Sequence, residues 1–550
     1  MEIQGHIVDG ISRRIFDGTV IIENGMISDI KETPLQGDFP YIMPGFIDAH
    51  VHVESSMVPP SEFARMAVRH GSIGAVCDPH EIGNVLGVQG VRFMINNAKK
   101  TKFRFAFGAP SCVPATTFET AGFSITADDI ASLFRNKEVS FLAEMMNFPG
   151  IIYDDEAVWD KIRITRQYGL PIDGHAPALS GKNLEKYVSS GISTDHECST
   201  IEEAEEKIKL GMHILIREGS AAKNFDALCP LLGKYPEKVM FCSDDKHPDD
   251  LQKSHIDDLV RRAIAKGYNL FDVVRAASHN PVRHYGLNAG LLQKGDPADL
   301  ILVRELTDFS ILSTYIQGEK VADNGISLLP HCVSEIHNRF HTRKLSMEDI
   351  RVPIPRSAIP EQDSLQIKVL EVMNGELFTK EIHCVPTLKD GCVTSNPQQD
   401  ILKVVVNSRY DDNAPAVAFV RGFGLRKGAI GSSIAHDSHN LVAVGVDDED
   451  ILSVLNTLID HQGGIATACG TAIDVLPLPI AGLMSDKTGD ETAKAYGQIN
   501  ATAVRMGSFL SAPFMTMAFI PLLVIPELKL SDKGLFDGKN FTFTSLFRTE

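Results

Sequence analysis

Residues 44–56 read Pro44-Gly45-Phe46-Ile47-Asp48-Ala49-His50-Val51-His52-Val53-Glu54-Ser55-Ser56. The Pro44-Gly45 turn introduces a short apolar run, which predicts a buried strand. The run ends in His-x-His. Residues two apart on a strand point to the same side, so His50 and His52 aim two imidazoles at one point. That is what a divalent cation needs, and the carboxylate of Asp48 just before them adds to the case. The rest of such a centre has to come from elsewhere in the chain.

From residue 44 to about 285, apolar strand-like runs alternate with helical stretches, which predicts a parallel sheet. Eight candidate strands cover 46–51, 73–77, 103–107, 141–144, 171–175, 192–196, 213–217 and 239–243. Eight parallel strands with helices between them make an α/β (β/α)8 TIM-like barrel, whose functional groups lie at the C-terminal ends of the strands. The first strand ends in His50 and His52 and the second in Asp78-Pro79-His80-Glu81. The fourth ends in Glu144, the fifth in His175, the sixth in His196-Glu197, the seventh in Arg217-Glu218 and the eighth in Asp244-Asp245. A ring of imidazoles and carboxylates at one rim is costly to desolvate without a cation or substrate to bind.

The flanks of this unit are short β-branched runs closed by Asn24-Gly25 before it and Asn324-Gly325 after it. Asn-Gly is a hairpin signal. Neither flank folds alone, so residues 1–43 and 286–345 are expected to form one composite β-sandwich. Pro353, Pro355 and Pro360 mark a linker at 346–364. Residues 365–550 carry strands at 402–406, 416–419 and 441–446 and helices at 449–460 and 491–505, a separate C-terminal α/β domain. The apolar stretch 509–525 is interrupted by prolines and reads as core.

The chain has 550 residues, enough for several domains, with 43% hydrophobic and 23% charged residues. A net charge of -18 argues against nucleic acid or an anionic membrane as partner. The nine cysteines lack CxxC spacing, which suits reduced thiols in a cytoplasmic enzyme. The first residues have neither the basic nor the apolar region of a signal peptide.

Together these motifs resemble the amidohydrolase superfamily. The opening Pro-Gly-x-Ile-Asp-x-His-x-His and the returning Gly295-Asp296-Pro297-Ala298-Asp299-Leu300 carry that likeness. More narrowly, the chain resembles the bacterial adenine deaminases. The narrower likeness rests on Asp78-Pro79-His80-Glu81-Ile82-Gly83-Asn84-Val85, Glu144-Met145-Met146-Asn147-Phe148-Pro149-Gly150, Asp173-Gly174-His175-Ala176-Pro177, Asp195-His196-Glu197, Cys242-Ser243-Asp244-Asp245 and Ala435-His436-Asp437-Ser438-His439-Asn440. Many superfamily members carry a carboxylated lysine at the fourth strand's end. Glu144 stands there instead, as in the adenine deaminases. The His-x-Glu and Pro-Cys-x-x-Cys signature of the zinc nucleobase deaminases is missing.

The resemblance implies hydrolysis of adenine to hypoxanthine and ammonia at two divalent cations that activate a water. It implies that His50 and His52, with Asp244, hold one ion, that His175 and His196 hold the other, and that Glu144 bridges. Asp244 is expected to shuttle the proton. Glu197 and Glu218 both remain candidates for protonating the ring nitrogen. Asp78, His80 and Glu81 form a further metal site, contact substrate or cap the next helix. His436, Asp437 and His439 reach the barrel mouth from their own chain or a neighbouring one, or make a polar turn. Manganese is the expected ion, with iron or zinc as substitutes. Adenine is the expected partner, with self-association into a homo-oligomer such as a dimer. The competing readings are a sister amidohydrolase acting on a cyclic amide or another amino-heterocycle, and a non-catalytic binding protein of the same fold.

Overall fold

The computed structural model describes residues 1–355 and 365–548. Both flanks pair into one eight-stranded sheet. Tyr41–Pro44 is its central joint, lying parallel to Glu2–Asp9 on one side and antiparallel to Leu300–Val303 on the other. The hairpin between Arg14–Glu23 and Met26–Glu32 turns at Asn24 (φ 52°) and Gly25 (φ 79°). Glu319–Asp323 and Ile326–Ser327 turn in the same way at Asn324 and Gly325. Both central residues of such turns need positive φ, which Asn and Gly tolerate. Ile7, Val20, Ile42, Leu300 and Tyr315, drawn from both flanks, share one buried cluster. Asp299 of the returning motif is buried and clasps Arg104, with Nε at 2.6 Å and Nη2 at 3.0 Å. It ties this sheet to the base of the central unit.

All eight expected central strands are present: Phe46–Val51, Ser72–Cys77, Arg104–Ala109, Phe141–Met145, Ile172–Gly174, Thr194–Asp195, His213–Arg217 and Val239–Cys242. They pair in sequence order, all parallel. The fifth and sixth are joined by Ser193 N–H donating to Ile172 O at 3.0 Å. The ring closes where Val51 pairs with Asp244: Asp244 N–H donates to His50 O at 3.0 Å and His52 N–H to Asp244 O at 3.2 Å. Asp48 reinforces that seam, accepting from Ser243 N–H at 3.0 Å and from His255 Nε2 at 2.8 Å. The Asp of Ile-Asp-x-His is therefore a structural pin rather than a ligand.

The C-terminal segment is richer in strand than expected. An eight-stranded sheet runs from Thr379–Cys384 through Leu402–Asn407 and Leu441–Gly445 to Ala472–Pro477, and carries the helices Asp448–Asp460 and Gly489–Arg505. The 509–525 stretch supplies the helix Pro513–Ala518 and the buried Ile520, Leu523 and Ile525. Leu345 and Ile350 are buried against this sheet beside Val405 and Leu441. Pro360, read as a linker proline, lies outside the described residues.

This segment sits on the barrel's mouth. It also reaches down the barrel's side, where Arg69, just before the second strand, makes a two-pronged contact with Asp490 at 2.7 and 2.8 Å. His247 Nδ1 meets Tyr496 Oη at 2.7 Å, and Asn440 Nδ2 donates to Thr120 O at 2.9 Å. Among the described residues no cysteine pairs with another, and no helix is long and apolar enough to cross a membrane.

Candidate metal centre

His50 and His52 end the first strand on the inner side, and Glu144 ends the fourth. His175 and His196 each follow the last residue of their strands, and Asp244 follows the eighth. The C-terminal ends of five different strands thus deliver six side chains to one point. His175 Nδ1 lies 2.8 Å from Glu144 Oε2, and His196 Nε2 lies 3.2 Å from the same oxygen. His52 Nε2 lies 3.2 Å from Glu144 Oε1 and 3.3 Å from Asp244 Oδ1. His50 Nε2 lies 3.4 Å from that Asp244 oxygen. Glu144 therefore faces three imidazoles with its two oxygens, and Asp244 faces two.

These six groups fit a divalent cation pair. Neutral imidazole and carboxylate, without thiolate, form a donor set that suits manganese, iron or zinc. Among the described residues, His50 Nε2 is buried and makes no hydrogen bond. His52 Nδ1–H donates to Asp78 O at 3.1 Å, which fixes the tautomer and leaves Nε2 as a free lone pair. A ligating histidine is ordinarily anchored in this way.

The electrostatics follow from burial against neighbouring charge. Burial opposes ionisation of Glu144, yet His175 and its hydrogen bonds hold it well below the usual carboxylate range. Burial would lower His196, but Glu144 overrides it and pushes the imidazole up to about 9. Burial opposes ionisation of Asp244 as well, and the Arg217 guanidinium keeps it well below its ordinary value. His50 goes the other way, lowered by burial and by His196 stacked 4.2 Å away.

Glu197 is part of this cluster, with Oε1 3.7 Å from His175 Nδ1. It also pairs with Arg217, which holds it below the carboxylate range against the effect of burial. Of the two acids expected to serve the ring nitrogen, Glu197 lines the cavity. Glu218 is not in the cluster. Ile214 and Ile216 pack among the helix residues Ile256 and Leu259, and Glu218 continues that outward side of the strand. Its carboxylate is taken by Arg262 Nη1 at 2.7 Å. The inward residue of the pair is its neighbour Arg217. Strand alternation puts Glu218 on the side of Ile214 and Ile216, and their packing against the helices makes that side the outward one.

Asp78, His80 and Glu81 are all buried beside the centre. Asp78 does two things: Oδ1 accepts from His80 N–H at 3.1 Å at the start of helix His80–Leu86, and Oδ2 accepts from His80 Nδ1 at 3.0 Å. His436, Asp437 and His439 come from the same chain, on the loop before Leu441–Gly445, and reach Glu81. Asp245, already at the rim by its place at the eighth strand's end, and Leu377, Phe519, Leu522 and Ile525, which were not foreseen, complete the cavity wall. The last four could not be, because nothing near them in sequence bears on the barrel. The cavity has a volume of about 30 Å3, room for roughly two waters.

Residues 41–321 match the amidohydrolase family, and residues 376–542 match the adenine deaminase C-terminal domain. A protein of Methanosarcina mazei called adenine deaminase is 50% identical over 99% of both chains. The chain belongs to the adenine deaminase family of amidohydrolases. An adenine deaminase of Sulfurovum sp. is 51% identical over 99% of both chains. That of Borreliella burgdorferi is 43% identical over 98% of this chain and 99% of its own. The similarity spans barrel, flanking sheet and C-terminal segment alike. Membership in an amidohydrolase family implies divalent metal use, and the buried imidazoles and carboxylates supply groups that could bind it.

Proposed function

We propose that this chain hydrolyses adenine to hypoxanthine and ammonia. The observation that carries the reading is likeness over the whole length to proteins named adenine deaminase. The converging donors give it a chemistry. His50, His52 and Asp244 would hold one divalent ion and His175 and His196 the other, with Glu144 placed between them. Such a pair, when bound, lowers the pKa of water towards neutrality and offsets negative charge on the reacting ring.

The chain's own groups then handle protons and orientation. Asp244, kept ionised by Arg217, takes a proton from the attacking water and passes it to the departing amine. A carbon–oxygen bond forms, the carbon–nitrogen bond breaks, and the amine leaves as ammonia. Glu197, on the cavity wall beside His175, relays the water's second proton to the ring nitrogen next to the reacting carbon, and Glu218 has no part. Phe519, Leu522, Ile525 and Leu377 form an apolar roof that excludes water.

Manganese is the favoured ion, since all donors are nitrogen or oxygen. Free, mostly buried thiols fit a reducing cytoplasm. We place the start of the C-terminal unit near residue 330: the flanking sheet ends at Ser327, and His337 O accepts from Ala481 N–H at 2.7 Å.

The test is ammonia release by the purified, manganese-loaded protein from adenine, adenosine, guanine and cytosine. Release from adenine alone is expected. Release from a different amino-heterocycle, with none from adenine, would assign the site to a sister amidohydrolase.

A further inference from the structure

We infer that a further divalent cation is held between the barrel and the C-terminal segment, by His80, Glu81, His436 and Asp437. None of these belongs to the six-residue set described above. His436 Nδ1 lies 2.7 Å from Glu81 Oε1, and His80 Nε2 lies 3.6 Å from the same oxygen. Asp437 Oδ1 lies 3.9 Å from His80 Nε2 and 3.9 Å from His436 Nδ1. His80, Glu81 and Asp437 from two parts of the chain thus gather at one point, and His436 meets the same Glu81 oxygen. Ligands at bond lengths near 2.1 Å in tetrahedral or octahedral array stand roughly 3.0–3.4 Å apart. The observed separations bracket that spacing.

Three independent features point to an ion there. First, the side chains are buried: His80 is 3% exposed, Glu81 2%, His436 4% and Asp437 3%. Two carboxylates facing each other in such a place require compensating charge. Second, among the described residues Asp437 Oδ2 is buried and makes no hydrogen bond, whereas Glu81 Oε2 is met by His439 Nε2. A buried carboxylate oxygen left without a partner calls for an ion or a water. Third, the anchoring is that of a metal-binding imidazole: His80 Nδ1–H is spent on Asp78 Oδ2, so Nε2 is left as a lone pair turned towards Glu81 and Asp437. The His436 ring is held flat against Phe519, centroids 4.4 Å apart.

The donors are two nitrogens and two oxygens, a set for Mn2+, Fe2+ or Zn2+. An ion in this position fastens the loop 433–440 to the barrel beside the apolar roof. The site rests on these donors alone, independent of the deamination proposed above.

The experiment is equilibrium dialysis of the chelator-stripped, full-length chain against Mn2+ alone, with elemental analysis. The wild type is expected to take up a third equivalent beyond the pair. His436→Asn and Asp437→Asn should each lose one equivalent and keep the pair. Glu144→Gln should lose metal from the pair and retain the third. Wild type saturating at two equivalents, with His436→Asn and Asp437→Asn unchanged from it, overturns the inference. If His436→Asn melts early, the near-isosteric Asp437→Asn and the wild-type stoichiometry still decide.

Discussion

Arg217 Nη1 donates to Asp244 Oδ2 at 2.8 Å while the same guanidinium grips Glu197. One cation thus holds two buried carboxylates ionised on the rim of the cavity, and it comes from a strand whose neighbouring acid looked the better candidate. Arg217→Gln should leave both carboxylates short of a partner. Removing one member of a buried ion pair costs about 3–5 kcal/mol. Denaturant melts of the metal-stripped protein should show a loss of that order, with turnover falling alongside. Unchanged stability would mean that the pairing contributes nothing.

Asp244→Asn should keep the fold and lose roughly 10²–10⁴-fold in turnover, the usual contribution of a positioned acid–base group. Steady-state ammonia release and a thermal melt on the same sample check it. Turnover like that of the wild type would remove Asp244 from proton transfer.

Glu144 contacts His52, His175 and His196 at once. Glu144→Gln keeps the size of the side chain and removes its charge. Metal content by elemental analysis should drop, with residual activity restored only at elevated Mn2+. Unaltered content would exclude bridging.

Glu218→Gln is the contrast. Its partner Arg262 lies on the helix layer outside the barrel. The substitution should cost about 1–2 kcal/mol for a partly buried charged pair, and turnover at saturating substrate should stay within about twofold of the wild type. A collapse of turnover without loss of stability would return Glu218 to the mechanism.

Lys529 sits under the roof and donates to Leu377 O at 2.9 Å and Phe519 O at 3.0 Å. Burial pulls its pKa from 10.5 down to about 7. Between those two values the folded form is neutral while the unfolded chain still binds the proton, so this group's contribution to stability rises with pH. Lys529→Met cannot titrate. The stability difference, wild type minus Lys529→Met, should therefore shift in favour of the wild type from pH 7 to pH 9 in denaturant melts. A flat difference would place the ammonium in contact with solvent.

The eight barrel strands were readable because each is a short apolar run with a polar residue at its exit, a local pattern that parallel pairing preserves. His50-x-His52 was readable for the same reason: a two-residue period is a property of the strand alone. Asn24-Gly25 and Asn324-Gly325 announced their turns through backbone preference. Glu218 shows where that kind of inference stops. Arg217 and Glu218 are both polar residues at the same strand end, and the side each faces depends on what packs against Ile214 and Ile216.

The amino-acid order by itself determined the barrel, the ligand types and the family, since these rest on periodicity, turn chemistry and spacing within single segments. Only the tertiary structure decided that Asp48 pins a seam, that Arg217 rather than Glu218 faces the cavity, and that His436 and Asp437 meet His80 and Glu81. The physical reason is distance along the chain: Glu81 and His436 are separated by 355 positions. Nothing local to either specifies the docking of the C-terminal sheet on the barrel that brings their side chains into contact.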